Sequence, residues 1–86
     1  MKFEYNSEKS KSNKQKHGIN FNEGQKLWND PQVIIIQTKT IDEPRFLVIG
    51  QIENKHWSAI ITFREEIIRI ISMRRSRTEE VDIYES

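Results

Sequence analysis

The chain has 86 residues, 14 lysines and arginines against 13 aspartates and glutamates, two histidines and no cysteine. A chain this short hides only about 60–65% of the surface its unfolded form exposes, so it makes one domain with a thin core. Without cysteine, no disulfide or thiolate metal site can brace that core, and two histidines are too few for an all-histidine zinc site, which leaves apolar packing and no expected metal or cofactor.

The first fifteen residues hold no apolar run of signal-peptide length, and nowhere do about 18 apolar residues follow one another. A soluble, cytoplasmic protein with no membrane partner is expected. The net charge of +1 conceals an uneven layout. Lys9, Lys11, Lys14 and Lys16 form a basic block without an acid, as do Arg69, Arg74, Arg75 and Arg77, while Glu79, Glu80, Asp82 and Glu85 follow. A single such block reads as a solvated face; two in one small domain point towards a polyanionic partner.

In chain order, Phe3–Tyr5 alternates like a short opening strand. Asn6 or Ser7 can then cap a helix running to Gly18, with Glu8 well placed in its first turn. Residues 6–17 contain nothing apolar to bury, so a flexible basic arm competes with that helix. Asn20 and Glu23 have the spacing of a capping box and open a second helix to about Trp28, which Asp30-Pro31 ends. Four β-strands follow at 33–38, 45–52, 56–64 and 67–74, rich in isoleucine, valine and aromatics. The polar links Asp42-Glu43-Pro44, Glu53-Asn54-Lys55 and Glu65-Glu66 are of hairpin length, so the strands pair antiparallel. Ser76, with Glu79 three residues on, suits the cap of a last helix reaching Tyr84.

The final hairpin allows a sharper inference. Matching the apolar faces of its two strands puts Arg64, Ser72 and Arg74 on one side, which requires a three-residue loop or a bulge. With Arg74 opposite His56, Arg64 lies about eight residues up the sheet, roughly 26 Å away at ~3.3 Å per residue. The two arginines would then contact successive phosphates rather than grip one.

The strings Lys16–Phe21 (KHGINF) and Arg69–Arg75 (RIISMRR) resemble the KHG-x-x-F and RIISAR(K/R) motifs of BrnT toxins, in that family's order and separation. Phe3, Lys9, Asn13, the Asp30-Pro31 pair, Gly50, Arg64, Glu80 and Tyr84 extend the likeness along almost the whole chain. The opening departs from it: FEYN stands for the usual F-x-W-D, and Ser10, Ser12 and Lys14 replace common alanines and a leucine. The resemblance implies an α+β, RelE-like fold, with N-terminal helices packed on a four-stranded antiparallel sheet, a short N-terminal strand and a C-terminal helix. It also implies a ribonuclease toxin whose substrate is RNA, silenced by a BrnA-like antitoxin that alone contacts operator DNA.

Such an enzyme needs no metal if the RNA's own 2′-hydroxyl attacks the neighbouring phosphorus, because an intramolecular nucleophile removes most of the entropic barrier. The protein must then accept one proton, return another and stabilise the phosphorane. His17 is the acid/base candidate, with Lys16 beside it to keep the ring ready to accept a proton; the competing reading is a helix-end histidine that caps carbonyls. Arg74 suits phosphate binding through its planar fork, against an ion pair with Glu79 or Glu80. Arg64 would serve a neighbouring phosphate, or be a turn-end charge. Lys14, Arg75 and Arg77 would steer RNA, and Tyr84 would donate a proton or stack, or else anchor its helix. His56, beside a turn, reads as structural. Two other classes fit the same residues: a nucleic-acid-binding module that does not cut, and a pure interaction protein.

Overall fold

The computed structural model describes residues 1–38 and 42–86. Its elements are β1 (Lys2–Glu4), α1 (Ser7–His17), α2 (Phe21–Gly24) continuing as a 3₁₀ turn over Gln25–Asn29, β2 (Ile34–Gln37), β3 (Phe46–Ile52), β4 (Lys55–Arg64), β5 (Ile67–Arg75) and α3 (Thr78–Glu85). The strands form one five-stranded sheet in the order β1-β5-β4-β3-β2. β2 to β5 make the expected antiparallel meander, but the sheet is mixed rather than four-stranded and antiparallel, because β1 joins it as a parallel edge strand against β5. The opening strand pairs residues 2–4 with residues 67–69, a partnership between distant parts of the chain that local pattern does not contain.

The sheet separates two unequal layers. Phe3, Phe46, Val48, Trp57, Ala59, Ile61, Ile68, Ile70 and Met73 share one face by register and pack against Ile19, Phe21 and Leu27 of the helical segment. The other face carries Ile49, Ser58, Thr62 and Arg74, and α3 packs against β3 there. Parity between β4 and β5 is kept by the expected bulge: Ile60 pairs with Ser72 and Ile61 with Ile70, so Ile71 is left unopposed. The turn itself is tight, with Arg64 paired to Ile67 and Glu65 at φ 59°. That register sets Ser58, not His56, opposite Arg74.

α1 forms despite having no apolar side. Asn6 caps it by accepting from the Lys9 N–H at 3.0 Å, and Gly18 ends it at φ 81° with its N–H on the Lys14 carbonyl. What docks it is polar. Ser10 Oγ accepts from the Phe21 N–H at 2.9 Å, Asn13 Nδ2 donates to the Ile19 carbonyl at 2.8 Å, and Asn13 Oδ1 accepts from the Met73 N–H at 3.2 Å. Ser10 and Asn13 are buried; each satisfies a backbone group that would otherwise lie unpaired at a helix start or strand edge. The basic-arm alternative is thereby set aside. The second helix starts as expected, with Asn20 and Glu23 exchanging both capping-box bonds.

Candidate active site

The predicted site residues divide between the two faces of the sheet. Lys14, Lys16 and His17 occupy the last turn of α1, in the layer that covers Met73 and Trp57. Lys14 is taken up by Glu23: its Nζ reaches the two carboxylate oxygens at 2.8 and 3.0 Å. That hydrogen bond, helped by the Asn20 N–H, holds the Glu23 carboxyl below its ordinary range despite slight burial. Lys16 and His17 are exposed, and among the described residues neither has a side-chain hydrogen bond or ion pair.

Arg75 belongs with them. It pairs with Trp57 across the ladder, its guanidinium lies 5.5 Å from the Trp57 ring centroid, and its Nε donates to the His56 carbonyl at 3.2 Å. Trp57 also lines a groove of about 210 Å³ with Gly18, the residue after His17, and with Lys26, Lys55, Glu23 and Glu53. Trp57 thus holds Arg75 and shares a groove with the residue that ends α1, and among the described residues no ion pair joins a carboxylate to Lys16, His17 or Arg75.

Arg74 points the other way. Successive residues of a strand project to opposite faces, so its side chain leaves the sheet on the α3 side. There Nη1 and Nη2 donate to Glu80 Oε1 and Oε2 at 2.7 and 2.8 Å, a bidentate fork. Glu80 is only 8% exposed and also accepts from Ser58 Oγ and the Arg77 N–H. The Arg74 hydrogen bond, more than the opposing effect of burial, pulls the Glu80 carboxyl down to about 2, and the same bond raises Arg74. The grouping of Arg74 with Lys16 and His17 around one phosphate is thus not what the geometry offers; the sheet stands between them. Arg64 lies on the Arg74 side, exposed, six residues along β4 from Ser58, or roughly 20 Å at ~3.3 Å per residue.

Tyr84 is buried. Its hydroxyl donates to Asp30 Oδ2 at 2.6 Å, and its ring meets His56 edge-on at 5.3 Å. The Asp30 bond, reinforced by burial, pushes Tyr84 up to about 12. Asp30 itself is raised by burial but lowered further by the Tyr84 hydroxyl and the Gln32 and Gln51 N–H groups, with a net downward shift. His56 Nε2 faces Glu85 Oε1 at 2.8 Å. Arg77 is the N-cap of α3, with Glu80 as the carboxylate that returns to it; Ser76 and Glu79, expected in those roles, are not used. Ser76 instead extends the β4–β5 ladder to the His56 carbonyl and bonds Ser58 Oγ. Trp57 is the site-shaping residue that the sequence does not single out, whereas the Arg74–Glu80 pair is the alternative weighed for Arg74 from the sequence. The signal for Trp57 was its place beside Arg75 once the bulge is counted.

The chain matches the ribonuclease toxins of type II toxin–antitoxin systems, a class defined by a toxin held in check by an antitoxin partner. Within that class the matching family is BrnT, described as "Ribonuclease toxin, BrnT, of type II toxin-antitoxin system", over residues 5–80, and the chain belongs to it. No curated protein matches the chain. No helix among the described residues is long and apolar enough to cross a membrane.

Proposed function

We propose that this BrnT chain is a metal-independent endoribonuclease that cuts RNA, at the end of α1, by directing the RNA's own 2′-hydroxyl onto the adjacent phosphorus. The observation that carries the reading is the place of Trp57, which holds the Arg75 guanidinium 5.5 Å from its ring centroid and lines one groove with Gly18, on the side of the sheet where α1 ends in Lys16 and His17; among the described residues Arg75 has no carboxylate partner. His17 exchanges protons with the 2′-hydroxyl and the departing 5′-oxygen. Arg75 and Lys16 stabilise charge growing on the phosphorane oxygens, the arginine through its fork and the lysine as a point charge. Trp57 holds the Arg75 guanidinium by a cation–π contact, and Lys14, locked on Glu23, fixes the helix end. Arg74 positions α3 rather than substrate, Arg64 on the same face of the sheet stays outside this site, and Arg77 contacts a phosphate further along the strand.

The helical layer on a largely antiparallel sheet supports the RelE-like fold that the family resemblance implies. The partner is a BrnA-like antitoxin, through which operator DNA is reached, and the compartment is the cytoplasm.

Purified chain incubated with single-stranded RNA tests the chemistry. Products ending in cyclic phosphate, lost in His17→Ala and Arg75→Ala with folding intact, support the enzyme. RNA binding that weakens steeply with salt but gives no product would make the chain a binding module instead.

A further inference from the structure

The two edges of the sheet are treated differently. At one, β1 covers the start of β5, and beyond it Asn13 takes the Met73 N–H, so α1 continues the cover. The other edge is β2. Thr38 N–H donates to the Arg45 carbonyl at 2.9 Å, which makes these two a hydrogen-bonded pair. In an antiparallel ladder such pairs alternate, so Ile36–Leu47 and Ile34–Ile49 are bonded in turn. The N–H and C=O groups of Ile35 and Gln37 consequently face away from β3.

Among the described residues nothing blunts this edge. Ile34–Gln37 contains no charge, no proline and no bulge, the usual protections against strand addition. Ile35 is 46% exposed, and on the same face, two strands in, Phe63 is 45% exposed and packed edge-on against Phe46 at 5.1 Å. A row of outward backbone groups beside an exposed apolar patch fits an extended peptide better than a helix.

We propose that β2 is the docking edge for an extended segment of the antitoxin, which adds as a sixth strand and continues over the Phe46–Phe63 pair. A second copy of the chain is the weaker occupant: two rigid edges of four residues meet over far less than the ~1,000 Å² that a specific interface needs, whereas a segment free to follow the surface gathers the aromatic patch as well. The proposal rests on the family's antitoxin partner and not on the RNA chemistry at α1. Because β2 and β5 are separated by two strands, this contact anchors the antitoxin at a distance from Arg75.

The test uses the full chain co-expressed with the antitoxin from its own locus. Ile35→Pro removes an outward N–H and no bond to β3; Ile35→Lys adds a charge and leaves the backbone alone. Each variant is checked for folding by thermal unfolding, and antitoxin binding is measured by calorimetry. Both substitutions are expected to weaken binding at least tenfold, and in the wild-type complex the Ile35 and Gln37 amides should exchange hydrogen at least tenfold more slowly than in the free chain. Wild-type affinity in Ile35→Lys, or unchanged exchange at the two amides, overturns the proposal. Protection that grows with concentration in the free chain alone would assign the edge to a second copy and overturn it too. Were Ile35→Pro not to fold, the lysine variant and the exchange measurement still decide. RNA cleavage by the free variants is read separately, so failure of the α1 mechanism does not masquerade as failure of docking.

Discussion

The Arg74 guanidinium and the Glu80 carboxylate meet in two parallel hydrogen bonds of 2.7 and 2.8 Å, tying the end of β5 to the first turn of α3. The arginine best suited by type to grip a phosphate is therefore spent on holding a helix. Arg74→Ala leaves a nearly buried carboxylate with an N–H and a hydroxyl in place of its cation, and should lower stability by about 1.5–3 kcal/mol, the range for hydrogen bonds to charged groups. The urea midpoint measures this. An unchanged midpoint would return Arg74 to the pool of free cations.

Acid should loosen the same junction. Glu80 titrates near 2 in the fold against 4.5 ordinarily, so the unfolded chain binds its proton first. The stability it contributes is complete above about pH 4.5 and drains away as pH falls towards about 2, with Asp30 acting in the same direction. Urea midpoints across that interval should fall, and fall less in Glu80→Gln. Equal slopes in the two proteins would mean that Glu80 is not the controlling group.

Asn13→Ala should release α1. The substitution deletes the bonds to the Ile19 carbonyl and from the Met73 N–H and leaves both buried backbone groups unmatched, costing about 2 kcal/mol. Amide exchange over residues 7–17 should rise well before that of β4, because the helix has no apolar face to keep it seated.

Gly18 ends α1 at φ 81°, with open space where a Cβ would stand. Gly18→Ala therefore meets no clash, only the cost of a left-handed conformation, about 1–2 kcal/mol. Gly18→Asn should recover part of it, since asparagine tolerates that region. A thermal shift equal for the two variants would indicate that the turn has rearranged.

Strands and turns are legible because alternation and turn chemistry are local and carry parity; parity calls for a three-residue loop or a bulge in the last hairpin, and the structure resolves it as a bulge at Ile60/Ile61. The cap of α3 was misplaced by one residue, since Ser76-Glu79 and Arg77-Glu80 have the same spacing, and only the tertiary bonds of Glu80 to Arg74 and Ser58 choose between them. The parallel pairing of β1 was invisible for a different reason: it joins residues more than sixty positions apart. The candidate site was half legible. The sequence marks Lys16, His17, Arg74 and Arg75 as cations of the right kind, but which arginine shares a side with α1 depends on where that helix docks. Two buried polar residues, Ser10 and Asn13, decide that docking, and no hydrophobic pattern reports them.

The proposed chemistry places RNA cleavage on the Arg75 side of the sheet and not on the Arg74 side. Single-turnover cleavage of one RNA by Arg75→Ala and by Arg74→Lys, each confirmed as folded, separates the two. A fall of about 100-fold or more is expected for Arg75→Ala, in the range for removal of one transition-state donor, with a near-wild-type rate for Arg74→Lys. Wild-type cleavage by Arg75→Ala, with the loss confined to Arg74→Lys, would contradict it.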